Sequence, residues 1–360
     1  MSFSKRITLG VLGGRDPYDT GGVESVVRNI ALHSPETYEY IHYCTGPETR
    51  TKRSEIGEIH AFAGGIGRVR SKHVSSVRAA HDLSRQEVDL VHGHGDNCVG
   101  LLPFPPEVPY VVTFHGTAAG MYENVFADSG PHRRLLSKLR MFPEQVAARQ
   151  CDLAVACSPQ VRDELVRHYG LDHEEVVVVR NGVDTSRFTP VPRDEATRRL
   201  GISPDRRYVL WIGTDPRRKR LEMAVRVVEA LGEDIRLLVT GETGKDTSSV
   251  RYLGRVTDDR MPDLYSAAGV LLFPSLYEGD PLVIWESLAC GTPVVTSPFM
   301  PEFGEGVYYV SAHEAEVYAR DVESILSAPP DEDTLRNGVM DNDWEQVANE
   351  YVGLFDRVLQ

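Results

Sequence analysis

Glu278 and Glu286 bracket the segment Glu278-Gly279-Asp280-Pro281-Leu282-Val283-Ile284-Trp285-Glu286, directly after an apolar run. Asp280 is a residue type that caps helix N-termini, and Pro281 suits the first helical position, where its missing N–H costs nothing. This reading puts Glu278 in the loop and Glu286 about a turn and a half inside the helix, roughly 9 Å along the axis from Asp280. Two carboxylates so spaced suit a long ligand with hydroxyls at both ends and an anionic centre. A nucleotide-sugar has that form: sugar at Glu278, ribose at Glu286, diphosphate by the positive end of the helix.

Other stretches carry weaker signals. Gly13-Gly14 and Gly21-Gly22 flank an expected loop between the first strand and first helix, where backbone N–H groups can approach a phosphate or sugar. Their spacing is not GxGxxG, which disfavours a nicotinamide dehydrogenase. Phe114-His115-Gly116 ends an apolar strand, where a histidine either faces the ligand crevice of an α/β fold or is a satisfied structural residue. His92-Gly93-His94-Gly95-Asp96 ends another. The two histidines share a strand face, but no third metal ligand is evident, so a crevice-lining role near an acceptor is the better reading. Gly213-Thr214-Asp215-Pro216-Arg217-Arg218-Lys219-Arg220 sets four cations at a strand's end, suited to a diphosphate or to a solvated basic loop. Asp331-Glu332-Asp333 and Asp341-Asn342-Asp343 match the text of a metal-binding DxD but follow no strand, and read as solvated acidic surface.

These groups need elements to hold them. Short, continuous apolar runs at 7–12, 90–92, 110–113, 153–156 and 176–180 read as buried parallel strands. Helical patterns fall at 23–32, 74–84, 135–149 and 159–168. After a turn-rich stretch the alternation restarts, with strands at 208–212, 235–240, 250–253, 270–273 and 293–296. Helices are expected at 221–231, 261–268 and 281–290. Two doubly wound α/β halves follow, joined near 186–193. The expected division is 1–188, 189–340 and a terminal helical segment 341–360 whose packing partner is open.

The chain has 360 residues, a net charge of −14 and only six lysines among its 39 basic residues. The acidic balance disfavours nucleic-acid binding. No apolar run is long enough to span a membrane, and no signal peptide is recognisable. Five cysteines without CxxC read as buried, reduced thiols in a cytoplasmic protein. Basic stretches at 67–78 and 132–142 could dock on an anionic membrane or serve as ordinary charged faces.

Taken in order along the chain, these motifs resemble the family-four glycosyltransferases of the GT-B fold. The resemblance is carried by Gly21-Gly22-Val23-Glu24, Phe114-His115-Gly116, Ala156-Cys157-Ser158, Arg180-Asn181-Gly182-Val183-Asp184, Lys219, and the E-x7-E block with its Ser287-to-Val295 continuation. It implies two Rossmann-like domains facing across a crevice, donor held mainly by the second and acceptor by the first. It implies a retaining transfer of a hexose-type sugar without metal or other cofactor, from a nucleotide-sugar (UDP- or GDP-linked) to a glycan, lipid-linked or small-molecule acceptor. Implied catalytic residues are His115, Glu278 and Lys219. The donor would be held by Gly22, Arg217, Arg218, Lys219, Val256, Glu278, Gly279, Asp280, Leu282, Val283 and Glu286. Acceptor-side candidates are Tyr18, Glu24, Arg68, His94 and Asp96. Three positions depart from the family pattern: Thr214 replaces a frequent arginine, Arg220 a usual glycine, and Asp280 a residue that is often apolar. A nucleotide-sugar epimerase and a non-catalytic sugar-nucleotide binder are the alternatives.

Overall fold

The computed structural model describes residues 6–66, 69–70, 72–126 and 131–360. They form two compact units, one reaching Asn181 and including Trp344–Gln360, the other Gly182–Asp343.

In the second unit six strands are parallel throughout, in the order Val250–Gly254, Ile235–Thr240, Arg207–Ile212, Val270–Phe273, Val294–Thr296, Val307–Tyr309. Both faces are covered, which is why these strands read as unbroken apolar runs rather than alternating ones. Tyr208, Leu210, Leu271 and Phe273 point to one face, with Leu264 and Tyr265 of helix Met261–Ala267 and Ile284, Trp285 and Leu288 of helix Leu282–Ala289. Their strand neighbours Val209, Trp211, Val270 and Leu272 point to the other, under helices Leu221–Leu231 and Ala315–Ser327. Strand order reverses between Arg207–Ile212 and Val270–Phe273, and such a switch point opens a crevice at the strands' C-terminal ends.

The first unit has a sheet of the order Val176–Val178, Leu153–Ala156, Tyr110–Phe114, Leu90–His94, Ile7–Arg15, Tyr38–Gly46, Gly57–Ala63, Arg50–Ser54. Only the edge strand Arg50–Ser54 runs antiparallel. The C-terminal helix Trp344–Leu359 belongs here: Tyr38 Oη donates to Asp356 at 2.5 Å, and Tyr351 and Phe355 lie on the ring of His92.

Several expectations need correction. Gly13 and Gly14 lie inside the first strand, which runs on to Arg15, so the loop is 16–21. The helix expected at 159–168 is α-helical only to Glu164 and continues as a π-turn, Leu165–Tyr169, ended by left-handed Gly170. Strands Tyr38–Gly46, Arg50–Ser54 and Gly57–Ala63 were not anticipated. The first alternates with polar residues, and Arg50–Ser54 is polar throughout, as edge strands commonly are. Helix Ala315–Ser327 was not anticipated either, although Tyr318, Val322 and Ile325 hold one buried face at helical spacing. Residues 182–188 belong to the second unit: Asp343 Oδ2 accepts from Thr185 N and Oγ1, and Arg336 donates to the carbonyls of Thr185 and Phe188. Asp343 is therefore a clamp rather than solvated surface, and Asp331 caps helix Glu332–Asn337 by accepting from Thr334 N.

Among the described residues no helix is long and apolar enough to cross a membrane. Helix Pro131–Gln150 spans the second basic stretch, with Leu139 and Phe142 exposed on it. The cysteines are free thiols, buried except the half-buried Cys151, and burial pushes Cys44 and Cys151 up to about 12.

Candidate functional site

The switch point of the second sheet brings together two loops. After strand Arg207–Ile212 the chain turns through Gly213–Arg220, and after Val270–Phe273 it turns through Pro274–Pro281. Gly213 leaves room for Lys219, since a Cβ there would stand 2.3 Å from the Lys219 stem and displace it. The Trp211 indole donates to the Lys219 carbonyl at 2.9 Å, and the Lys219 ammonium sits 4.6 Å from the centre of the Phe273 ring. Asp215 accepts from the backbone N–H and guanidinium of Arg218. So braced, Arg218 and Lys219 converge on Glu278, whose Oε1 is 2.5 Å from Arg218 Nη1 and 3.3 Å from Lys219 Nζ, and accepts from Ser275 Oγ at 3.0 Å. Burial works to raise the Glu278 carboxyl, but the two cations outweigh it and the net direction is down. Burial lowers the Lys219 ammonium, with Glu278 opposing. Arg217 points to solvent, so Arg218 is the inward arginine of the loop.

Helix Leu282–Ala289 begins one residue later than anticipated, with Pro281 as its extended N-cap and no side-chain cap. Asp280 is buried and accepts from the Trp285 indole at 3.1 Å, so it ties the turn to the helix instead of capping it. Glu286 is thus the fifth helical residue, about 6 Å along the axis from Leu282. Its Oε2 accepts from Tyr265 Oη at 2.6 Å. Burial raises the Glu286 carboxyl, and the tyrosine bond offsets part of that. Leu282 and Val283 are half-buried in the first turn, where backbone N–H groups lack intrahelical partners. Val256 packs on the core just beyond strand Val250–Gly254, beside exposed Arg255. Tyr265 escaped the sequence reading, because its partner lies 21 residues away and nothing in its own segment marks it. Arg220 has φ 51°, the left-handed region, which explains why a glycine is usual there. Its guanidinium donates to His313 Nδ1 at 3.0 Å.

In the first unit, His94 and His115 meet at the ends of neighbouring strands, Nδ1 to Nε2 at 2.9 Å. His92 Nε2 bonds Thr113 Oγ1 at 2.8 Å, and Thr113 donates to Tyr351 Oη. Burial pushes His115 to about 4 and His92 to about 3, and drives His94 well down. The HxH pair is thus spent on separate partners, and among the described residues no group of three His, Cys, Asp or Glu side chains is placed to hold a metal. The loop after His115 is held by two buried carboxylates: Glu164 accepts from Thr117 Oγ1 and Glu144 from Ala118 N. Gly22 opens helix Gly22–His33, with open space where a Cβ would be. Glu24 is buried and paired to Arg15 at 3.1 Å, which locks the loop rather than offering a free carboxylate. Tyr18 is exposed, bonded to Glu55 and capped by the cations of Lys52 and Arg28. Arg68 and the side chain of Asp96 lie outside the described residues.

Comparison with known proteins gives a consistent picture. The profile of Glycosyltransferase Family 4 matches residues 20–187, and that of Glycosyl transferases group 1 matches 206–328. Curated relatives named D-inositol 3-phosphate glycosyltransferase include one from Salinispora arenicola, 30% identical over 316 residues, covering 77% of this chain and 67% of that one. Another, from Rhodococcus opacus, is 28% identical, covering 76% of this chain and 65% of its own length, so the chain spans about two thirds of such relatives. Among solved structures, a sucrose-phosphate synthase from Thermosynechococcus elongatus superposes with a TM-score of 0.82 at 22% identity, covering 98% of this chain and 99% of that one. An Anabaena HepE in complex with UDP and glucose superposes at 0.73 and 15% identity, covering 98% and 100%. At these identities the structures speak for the fold.

Proposed function

This chain belongs to the family-four glycosyltransferases of the GT-B fold, and from that premise we propose that it moves a hexose-type sugar from a nucleotide-sugar to a hydroxyl acceptor. The reading includes retention of anomeric configuration and no catalytic metal. The observation that carries it is the meeting of Glu278 with Arg218 and Lys219 at the switch point. A carboxylate for sugar hydroxyls stands directly beside two cations for a diphosphate.

In this reaction the sugar C1–O bond breaks and its electron pair leaves with the diphosphate. Lys219 and Arg218 exchange part of their attraction to Glu278 for the developing phosphate charge, a role that preorganised cations perform with little rearrangement. The N–H groups at the start of helix Leu282–Ala289 and the backbone of Gly279 and Asp280 add to that field. Glu278 holds the sugar hydroxyls, and Glu286, oriented by Tyr265, holds the ribose, with the base beside Val256. His115, neutral, meets the sugar as a hydrogen-bonding group, and the Gly22 amide adds to the phosphate contacts. The acceptor oxygen bonds C1 on the face the diphosphate leaves, and its proton passes to the leaving phosphate. Arg218 and Lys219 supply the charge neutralisation a metal would otherwise provide. A UDP-sugar is the first donor to try, because HepE structures hold UDP and glucose.

The test incubates the protein with labelled UDP-, GDP- and ADP-glucose, offering D-inositol 3-phosphate, after which the curated relatives are named, beside glycan and lipid extracts. Transfer with an α-linked product from an α-linked donor supports the reading. Isomerised donor without transfer, or binding without turnover, overturns it. A chelator in the assay is expected to leave the rate unchanged, and a large loss removes metal independence.

A further inference from the structure

We propose that His94 is a positioning residue for His115, and that a ligand meets His115 through Nδ1 because His94 holds Nε2. The role of the contact rests on His115 touching the sugar, as above.

His94 ends strand Leu90–His94, and His115 follows strand Tyr110–Phe114, its parallel neighbour, with His94 opposite Thr113. The two rings are stacked, 5.2 Å between centres and 15° between planes, with the facing nitrogens 2.9 Å apart. His94 is itself held. It is 1% exposed, and its ring lies 4.2 Å from that of His92. Its neighbour His92 is tied at Nε2 to Thr113 Oγ1, and Thr113 in turn contacts Tyr351 Oη. Tyr351 and Phe355 of the C-terminal helix pack on the His92 ring. The stack is anchored at its far end before any ligand arrives.

Electrostatics keep the pair neutral. Among the described residues, the ionisable groups that bear on His94 are His92, His115 and His42, and burial together with the neighbouring rings disfavours a proton on it. Between two neutral imidazoles one facing nitrogen donates and the other accepts, so the tautomer of one ring dictates that of the other. With Nε2 engaged, Nδ1 is the polar atom His115 has left for a ligand. A neutral ring suits a sugar hydroxyl.

Nitrogen-15 NMR of the histidine-labelled full chain, with steady-state kinetics, tests this. In the parent protein His115 should stay neutral down to about pH 4, and UDP-glucose should shift Nδ1 but not Nε2. His94→Ala admits water to Nε2. His115 should then show a mixture of tautomers and titrate upward toward about 6.5. The kcat should fall by about tenfold or more with a smaller change in donor KM, as for other supporting contacts, and the acid limb of kcat should move up with the titration. His94→Asn, whose amide reaches the Nδ1 position, should restore both. His94→Gln, which reaches the Nε2 position, should not, and stands in should the alanine variant fail to fold. An unmoved tautomer and acid limb in these loss variants, or a ligand shift at Nε2, overturns the proposal. If no donor supports transfer, the NMR titration still decides the His94–His115 link, and the glycosyltransferase reading fails separately.

Discussion

On Glu278 two cations and a serine hydroxyl converge on one oxygen. Glu278→Gln keeps the shape and loses the charge. We expect kcat to fall by about a hundredfold, comparable to losing one preorganised charge-stabilising group, with the circular dichroism spectrum unchanged. A variant keeping a third of the parental rate removes Glu278 from the reaction. Glu286 and Tyr265 make a different prediction. Their bond is a single charge-assisted one between half-buried and buried groups. Losing it in Tyr265→Phe costs about 1.5 kcal/mol, or roughly tenfold. Because the ribose does not change during reaction, the loss should appear in donor KM with kcat held. A fall in kcat alone contradicts the ribose assignment.

The elements of the site are shaped by close approach. Gly241, at φ 88°, lets its backbone pass the Gly213 carbonyl where a Cβ would stand 2.3 Å away, and Gly213 does the same for Lys219. Arg220 is the exception, a left-handed residue with a full side chain at the start of helix Leu221–Leu231. Its bond to His313 compensates part of the backbone cost. Arg220→Ala loses the bond and keeps the strain, whereas Arg220→Gly loses the bond and relieves it. The glycine variant should therefore be the more stable of the two by about 1 kcal/mol, read as the difference in urea midpoints. An alanine variant at least as stable as the glycine one would mean the left-handed backbone costs nothing there.

Across the molecule, each unit buries its own core, and the first adds a titratable one. His42, His92 and His115 are held near 4, 3 and 4 by burial. In an unfolded chain each titrates at about 6.5. Their folded values are depressed, so between about pH 6.5 and 4 the unfolded chain binds more protons. The stability they support is complete above pH 6.5 and is lost as the pH falls through that window. Together they should lower stability by several kcal/mol. A urea midpoint that drops steeply from pH 7 to 4.5 is expected. A flat one would show that these rings protonate without unfolding the first unit.

Much of this was legible in the linear chain, for a physical reason. A parallel sheet buried on both faces demands unbroken apolar runs, and strands such as Ile235–Thr240 and Leu153–Ala156 declare themselves locally. Glycines, a strand-end histidine and an acidic pair at a helix start also carry their meaning in a few residues. Polar edge strands such as Arg50–Ser54 carry no such signal. Neither does a side chain whose function is to hold another. Asp280 has the sequence context of a helix cap, yet the apolar layer draws Trp285 beneath the helix and the buried indole takes the carboxylate. Tyr265 reaches Glu286, and His94 reaches His115, only because strands and helices far apart in sequence end side by side. The order of residues along the chain is enough to specify the two α/β halves and the residue types at the strand ends. Tertiary structure decided which of those residues face one another, because contact across a switch point depends on strand order and not on spacing along the chain.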